Sequence, residues 1–354
     1  MTHANTHLGR PLRRIALVVA VIAGLAACED TPNTDPDTAA DTTSDTGGDA
    51  DSTDTIETTT GPQDTTTVVT PVYGTPCADA ARVGTFQVGR WQRYSAVTGE
   101  VTNGVIPLTV RQEIGRDGDC RLLRKQNPFC NPACANGDLC DHDGQCIPYP
   151  ENQSVGTITV SGLNALVEMM PNPVQSYAAV DVPLALFDTD AEITLSAAGD
   201  ALAGFTMAAF GVPPLVAPEE TLDLARDRPL VVEWTAEPGA WHIVFSVNID
   251  QHGSSPVTLV CDVADSGRHT VSATLINAFL DAGVSGFASF DLVRRTVSST
   301  TVDAFNADAN CIELQVLSQA DGRLTVNGHI ACTRPQDCPP ELVCDRAVNT
   351  CVTP

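Results

Sequence analysis

Apolar and polar residues alternate one for one from Trp241 to Asp250. Trp241, Ile243, Phe245, Val247 and Ile249 fall on one side, and His242, Val244, Ser246, Asn248 and Asp250 on the other. A period of two is that of a strand buried on one face. Further strand-like runs occupy residues 155–163, 182–187, 191–197, 205–210, 230–235, 257–263, 287–293, 312–317 and 324–330. Turn signals separate them, among them Ala198-Gly199-Asp200, Glu237-Pro238-Gly239, Asp265-Ser266-Gly267 and Ala320-Asp321-Gly322. Residues 85–91, 94–101 and 108–114 read the same way. Short strands at this spacing predict an all-β fold, an antiparallel β-sandwich or jelly roll. Only residues 272–282 read as a helix, with a helical turn at 219–224.

The amino terminus follows another pattern. Arg10, Arg13 and Arg14 precede a 13-residue apolar run from Ile15 to Ala27, which ends in Leu25-Ala26-Ala27-Cys28. That is shorter than the roughly 20 residues needed to span a bilayer and reads as a secretory signal. The Leu-Ala-Ala-Cys ending resembles the lipobox of bacterial lipoproteins. The resemblance implies that Cys28 becomes the lipidated first residue of the mature chain, a membrane attachment through a lipid anchor. Glu29 at the next position does not match the inner-membrane retention rule of some such lipoproteins. With the spacer that follows, this points to the outer membrane and the cell surface.

Residues 29–70 hold fifteen Thr, nine Asp, two Glu and no Lys or Arg. Such a segment buries too little apolar surface to offset its ordering entropy, so disorder is expected. As a neutral coil it would average about 35–40 Å end to end, and charge repulsion lengthens it. The expected organisation is a signal and lipidated cysteine at 1–28, an acidic tether at 29–72 and a β-rich segment at 73–128, read as packed on the main sandwich. A cysteine-rich module at 129–150, a β-sandwich at 151–331 and a second cysteine-rich module at 332–354 follow.

Charge narrows the partners. Residues 1–27 hold three of the 19 basic residues and none of the 44 acids, so the mature chain carries 16 − 44 = −28. That argues against nucleic acid, whose phosphates need clustered Lys and Arg, and against electrostatic docking on anionic lipid. Envelope proteins or an extracellular polysaccharide are the expected partners.

Twelve of the thirteen cysteines lie beyond Cys28, an even number that reads as six disulfides formed in an oxidising compartment. Cys130, Cys134, Cys140 and Cys146 form one cluster, and Cys332, Cys338, Cys344 and Cys351 another of the same design. In both, an Asp follows the third cysteine and a polar turn leads to the fourth. Four cysteines permit three connectivities. The tight turn disfavours joining third to fourth, which favours first to third and second to fourth. Neither cluster has enough apolar residues to fold without bridges. Both resemble the short EGF- or Dickkopf-like modules of secreted bacterial lipoproteins, which implies extracytoplasmic placement and protein contact rather than chemistry. Cys77 and Cys120 bracket the first β-rich segment and are expected to pair, and Cys261 and Cys311 to bridge strands or sheets. The five-residue spacings do not suit zinc.

Candidate chemistry is sparse. No phosphate-binding loop, dinucleotide fingerprint or zinc-protease helix occurs. Ser266 lacks the glycines of a trypsin-like serine, and Gly283-Val284-Ser285-Gly286 lacks the last glycine of a nucleophile elbow. The mature histidines, His142, His242, His252, His269 and His329, are too far apart in sequence for a local metal pair. Asp141-His142-Asp143-Gly144 reads as a hairpin turn rather than a calcium loop. Asp188 with Asp190, Asp262 with Asp265, or the acids from Glu219 to Asp227 could hold a structural calcium; no other cofactor is expected. These features predict a non-catalytic, lipid-anchored envelope protein with a structural, adhesive or protein-binding role. One alternative is a carbohydrate-binding surface module, which requires exposed aromatics among Trp91, Trp234 and Trp241. Another is a hydrolase with a nonstandard site.

Overall fold

The structure, a computed structural model, describes residues 74–354 apart from 217, 219, 220, 254, 255, 307 and 308. Cys28, the signal segment and the tether lie outside the described residues, as does part of the 219–224 stretch. Among the described residues the fold is all-β with one α-helix. Nine strands form the principal sheet, in the order Arg111–Asp117, Cys120–Lys125, Val257–Ala264, His242–Asn248, Ser289–Asn306, Ala309–Gly322, Arg82–Arg90, Ser95–Val101 and Ser176–Ala179. A four-stranded sheet orders Phe205–Phe210, Glu192–Ala197, Ile158–Ser161 and Val167–Met169.

The alternation at 241–250 is realised in the strand His242–Asn248, where Ile243, Phe245 and Val247 are buried. Register carries that face across the sheet, because partners in adjacent strands point the same way. Cys120, Cys261, Phe245, Leu292 and Ala320 form one row. Val88, Val316 and Thr296 lie in another, and Phe86 and Leu314 in the next. One face of the nine-stranded sheet therefore carries two apolar cores. The first lies under the four-stranded sheet and includes Phe86, Ile158, Phe187 and Leu195. The second lies under the helix and the paired strands Leu230–Glu233 and Arg268–Val271, and includes Phe245, Leu259, Ile276 and Phe279.

Between the cores runs a row of polar side chains: Arg294, Ser318, Arg90 and Ser95 are neighbours in register on the buried face. Each is bonded to the chain that crosses above it, although the Nε of Arg90 is buried without a hydrogen-bond partner among the described residues. Arg294 donates to the carbonyls of Pro214 and Thr235, at 3.0 and 2.7 Å, and pairs with Asp265 at 2.7 Å. Ser318 accepts from Leu215 N, Arg90 donates to the carbonyls of Phe187 and Val212, and Ser95 donates to that of Leu184. Buried polar groups persist only with such partners. The seam thus fixes the segment that passes from one core to the other.

The helix Ala273–Asp281 matches the predicted one. Ser272 caps it by accepting from Leu275 N at 3.2 Å, and Leu275, Ile276, Phe279 and Leu280 make its buried face. Elsewhere the structure departs from the sequence reading. Residues 182–187 form no strand, since Pro183 has no N–H for a ladder. Leu222–Leu224 is a short strand rather than a helical turn and pairs in parallel with Leu324–Val326. The principal sheet is mixed: Arg82–Arg90 runs parallel to Ala309–Gly322 and antiparallel to Ser95–Val101.

Disulfide connectivity explains that parallel pair. Cys77 bonds Cys311, not Cys120, and so joins the chain just before one strand to the start of the other. Cys120 bonds Cys261, its register partner on the adjacent strand. Proximity in sequence misleads here because Arg82–Arg90 inserts beside a strand more than two hundred residues away. In the modules Cys130 bonds Cys140, Cys134 bonds Cys146, Cys332 bonds Cys344 and Cys338 bonds Cys351. The third and fourth cysteines of each module sit opposite one another on a small hairpin and reach to separate partners. Asp141 and Asp345 shape the two turns, accepting from the backbone two residues on. His142 Nε2 lies 2.9 Å from the carbonyl of Pro107, and Thr350 Oγ1 accepts from Gly286 N, so both modules dock on the body.

Candidate functional site

Beside Arg90 and Ser318 in the middle of the polar seam lies a cavity of about 430 Å³, lined by Arg90, Trp91, Gln92, Leu184, Ala185, Pro214, Leu215, Ser318 and Gln319. Its position follows from the chain. Arg90 and Ser95 end two paired strands, and the turn between them, Trp91-Gln92-Arg93-Tyr94, closes with Trp91 N donating to the carbonyl of Tyr94. The two aromatics at the turn's ends are thereby brought face to face, with ring centroids 4.7 Å apart and planes 11° from parallel. Trp91 is half-buried and its Nε1 donates to Gln319 Oε1 at 3.0 Å; Tyr94 is 55% exposed. Gln319 also donates to Asp321, at 3.3 Å.

Arg90 forms the inner wall. Its guanidinium lies 4.3 Å over the Phe187 ring and donates to two backbone carbonyls. Burial lowers its pKa, against which Asp188 acts. An arginine engaged in this way stabilises the wall through its two terminal nitrogens. Leu184, Ala185, Pro214 and Leu215 give the cavity an apolar lining, with Gln92 at the mouth and Gln319 and the indole N–H bonded to one another. An apolar cleft with a few placed polar groups is the common form of a small-ligand site.

The residues singled out in the sequence are scattered by comparison. Ser266 donates to the carbonyl of Arg268 in an exposed turn. Ser285 is buried, donates to Asp250 and accepts from His252 N. His252 packs against Gly286, to whose carbonyl His329 Nε2 is hydrogen-bonded at 2.8 Å. His242 Nδ1 lies 2.8 Å from Asp262, which also binds Arg295. His269 Nε2 lies 3.3 Å from Cys120 Sγ, a sulfur already in a disulfide. The calcium expectation fares differently at each place. Asp262 and Asp265 are engaged by arginines, and Asp265 also accepts from Trp234 Nε1 at 2.6 Å. Asp188 accepts from Asn164, and Asp190 sits in a turn at φ +63°. The acids at Glu219 lie partly outside the described residues.

Of the three tryptophans, Trp241 is buried in the first core, Trp234 is half-buried against Asp265, and Trp91 borders the cavity. Sequence reasoning noted Trp91 but missed Gln92, Tyr94 and Gln319. The available signal was the spacing Trp-x-x-Tyr around a polar turn; Gln319 is more than two hundred residues away and gave none.

No protein-family model matches this chain, and no curated protein is detectably similar to it. Among solved structures, a crystal structure of chicken CNTN1 FN1-FN3 domains aligns at 10% identity with a TM-score of 0.16. The alignment covers 60% of this chain and 66% of that one, just under two thirds of its length.

Proposed function

We propose that this chain is an exported, lipid-anchored protein of the cell envelope whose disulfide-stabilised β body has a binding role and no catalytic one. One observation carries the reading: all twelve cysteines beyond Cys28 are consumed in six disulfides. Disulfides at that density belong to oxidising compartments, and the signal-like run ending at Cys28 supplies the route. Cys28 takes the lipid, residues 29–72 hold the body away from the membrane, and the outer membrane is the expected site. The engagement of Ser266 and Ser285 in turn contacts supports a non-catalytic body, and the cavity at Trp91 supports binding.

Metabolic labelling with an alkyne palmitate tests the anchor. The chain is expected to take up label, to lose it in Cys28→Ala, and to be cleaved when intact cells are treated with protease. An unlabelled chain that keeps its first methionine and has thiols free to alkylate would overturn the reading.

A further inference from the structure

We propose that the face of the principal sheet opposite the two cores binds a small oxyanion (carboxylate, phosphate or sulfate), with Arg121 as its cation and the hydroxyls of Ser246 and Thr258 as further donors. The site extends the binding role proposed above to a second cavity, of about 270 Å³, which all three residues line. Strand alternation sets their direction. Cys120, Phe245, Leu259 and Cys261 belong to the second core, so Arg121, Ser246, Thr258 and Val260, each one residue along, point the other way. Register then gathers them. Val260 lies opposite Arg121 on one side and Ser246 on the other, and Thr258 is two residues before it on the same strand. The buried Val260 is thus a floor with a guanidinium and two hydroxyls around it. The sheet curls about this face into a trough: Arg111 on its first strand and Arg82 on its seventh bind the two oxygens of one carboxylate, Asp79, at 3.2 and 2.6 Å.

Nothing in the protein uses these three groups. Among the described residues the half-buried Arg121 guanidinium forms no ion pair or hydrogen bond, and neither hydroxyl has a partner. The charges around them are committed to one another. Arg116, in register with Arg121, is held by both oxygens of Glu113. Asp79 takes Arg82 and Arg111, Asp262 is bonded to His242 and Arg295, and Glu313 accepts from Cys77 N and Gln315. Asp291, next in register beyond Ser246, does not line the cavity and is bonded to Asp321 and Gln319. Four arginines against three carboxylates leave the lining one positive charge in excess, in a chain whose formal charge is −25. Screening over about 8 Å at physiological salt lets that local charge outweigh the distant acids. A guanidinium fork takes an oxyanion through two parallel N–H bonds, and hydroxyls beside it supply further donors. The cavity is smaller than most small-molecule pockets and suits one anionic headgroup, while the negative chain around it disfavours a polyanion.

Isothermal titration calorimetry on the purified, oxidised full chain in detergent and Tris chloride tests the proposal. The probes are galacturonate and glucose 6-phosphate, with inorganic phosphate and sulfate as free ions and glucose as the neutral counterpart. At least one anionic probe is expected to bind saturably, and glucose at least about tenfold more weakly. Tighter binding of an organic ion assigns the group to a small molecule, and equal or tighter binding of phosphate or sulfate assigns it to the free ion; either supports the site. Arg121→Gln orphans no acid and is expected to weaken the best probe at least about tenfold, and Arg121→Lys, which keeps the charge without the fork, about threefold. Ser246→Ala and Thr258→Val are each expected to cost about two- to fivefold. Arg346→Gln removes the same charge from an exposed position in the second module and is expected to change affinity less than about twofold. Failure of every anion to bind, glucose binding as tightly as the anions, or affinity unchanged in Arg121→Gln would each overturn it, as would an equal loss in Arg346→Gln. A chain that is palmitoylated and protease-accessible yet binds no anion refutes this site alone, and an anion-binding chain without lipid refutes only the anchoring.

Discussion

Three charged side chains show how local surroundings set the cost of a charge. Arg294 is almost fully buried beside Asp265, and its remaining N–H groups are taken up by backbone carbonyls. Arg294→Met would leave Asp265 with only Trp234 and Glu237 N, and would orphan the carbonyls above the seam. A loss of about 3–5 kcal/mol in urea unfolding is expected; a loss below about 1 would mean that the seam is dispensable. Asp291 is the opposite case. It sits directly across from Asp321, and burial first and this like charge second raise its pKa. The folded state therefore binds its proton more tightly than the unfolded state, so stability falls as pH rises from the ordinary carboxylate range through the raised pKa. Asp291→Asn is expected to stabilise by a few tenths of a kcal/mol at pH 7 and to remove that part of the pH dependence; equal stability gains at pH 3 and pH 7 would contradict the argument. Asp337 is half-buried at the surface, where backbone N–H donors from Thr333 and Arg334 lower its pKa to about 2. Its contribution is present above the ordinary carboxylate range and is lost as pH falls towards 2.

Among the elements, those with a local cause were readable from the chain. The helix begins where Ser272 can accept from Leu275 N and buries a face spelled out by Leu275, Ile276, Phe279 and Leu280. Ser272→Ala should cost about 1 kcal/mol, with Ser272→Asp recovering most of it; equal losses in both variants would place the effect in packing instead of capping. Strands such as His242–Asn248 and Phe205–Phe210 declared themselves by period or by composition. The long hairpin Ser289–Asn306 with Ala309–Gly322 did so only in part, at 287–293 and 312–317, because Thr296 and Ser298 occupy its buried face and break the apolar alternation. Their places make sense only once the crossing chain is present: Thr296 Oγ1 donates to the carbonyl of Phe210 and accepts its N–H. The cavity was hidden for the same reason. Trp91 and Tyr94 are neighbours in sequence, but Gln319, Leu184 and Pro214 reach them only through pairing and crossing that no local pattern encodes.

For the whole molecule, the six disulfides divide by what else supports them. Cys77–Cys311 closes a loop of 234 residues and Cys120–Cys261 one of 141, and both lie in a body with two apolar cores. The four module bridges close loops of 10 to 13 residues where the chain has only two short strands and exposed polar turns. Loop-closure entropy predicts that losing Cys77–Cys311 as a Cys→Ser pair costs the body about 2–5 kcal/mol while the fold survives. Losing Cys338–Cys351 should act differently. Little apolar burial remains to order residues 332–354, so that segment should become protease-sensitive, while the melting temperature of the body shifts by no more than about 2 °C. Thermal melts followed by limited proteolysis of both double variants separate the two effects. A module that stays protected without its bridge, or a body that melts much lower with it removed, would mean that the contact of Thr350 with Gly286 binds module and body into one cooperative unit.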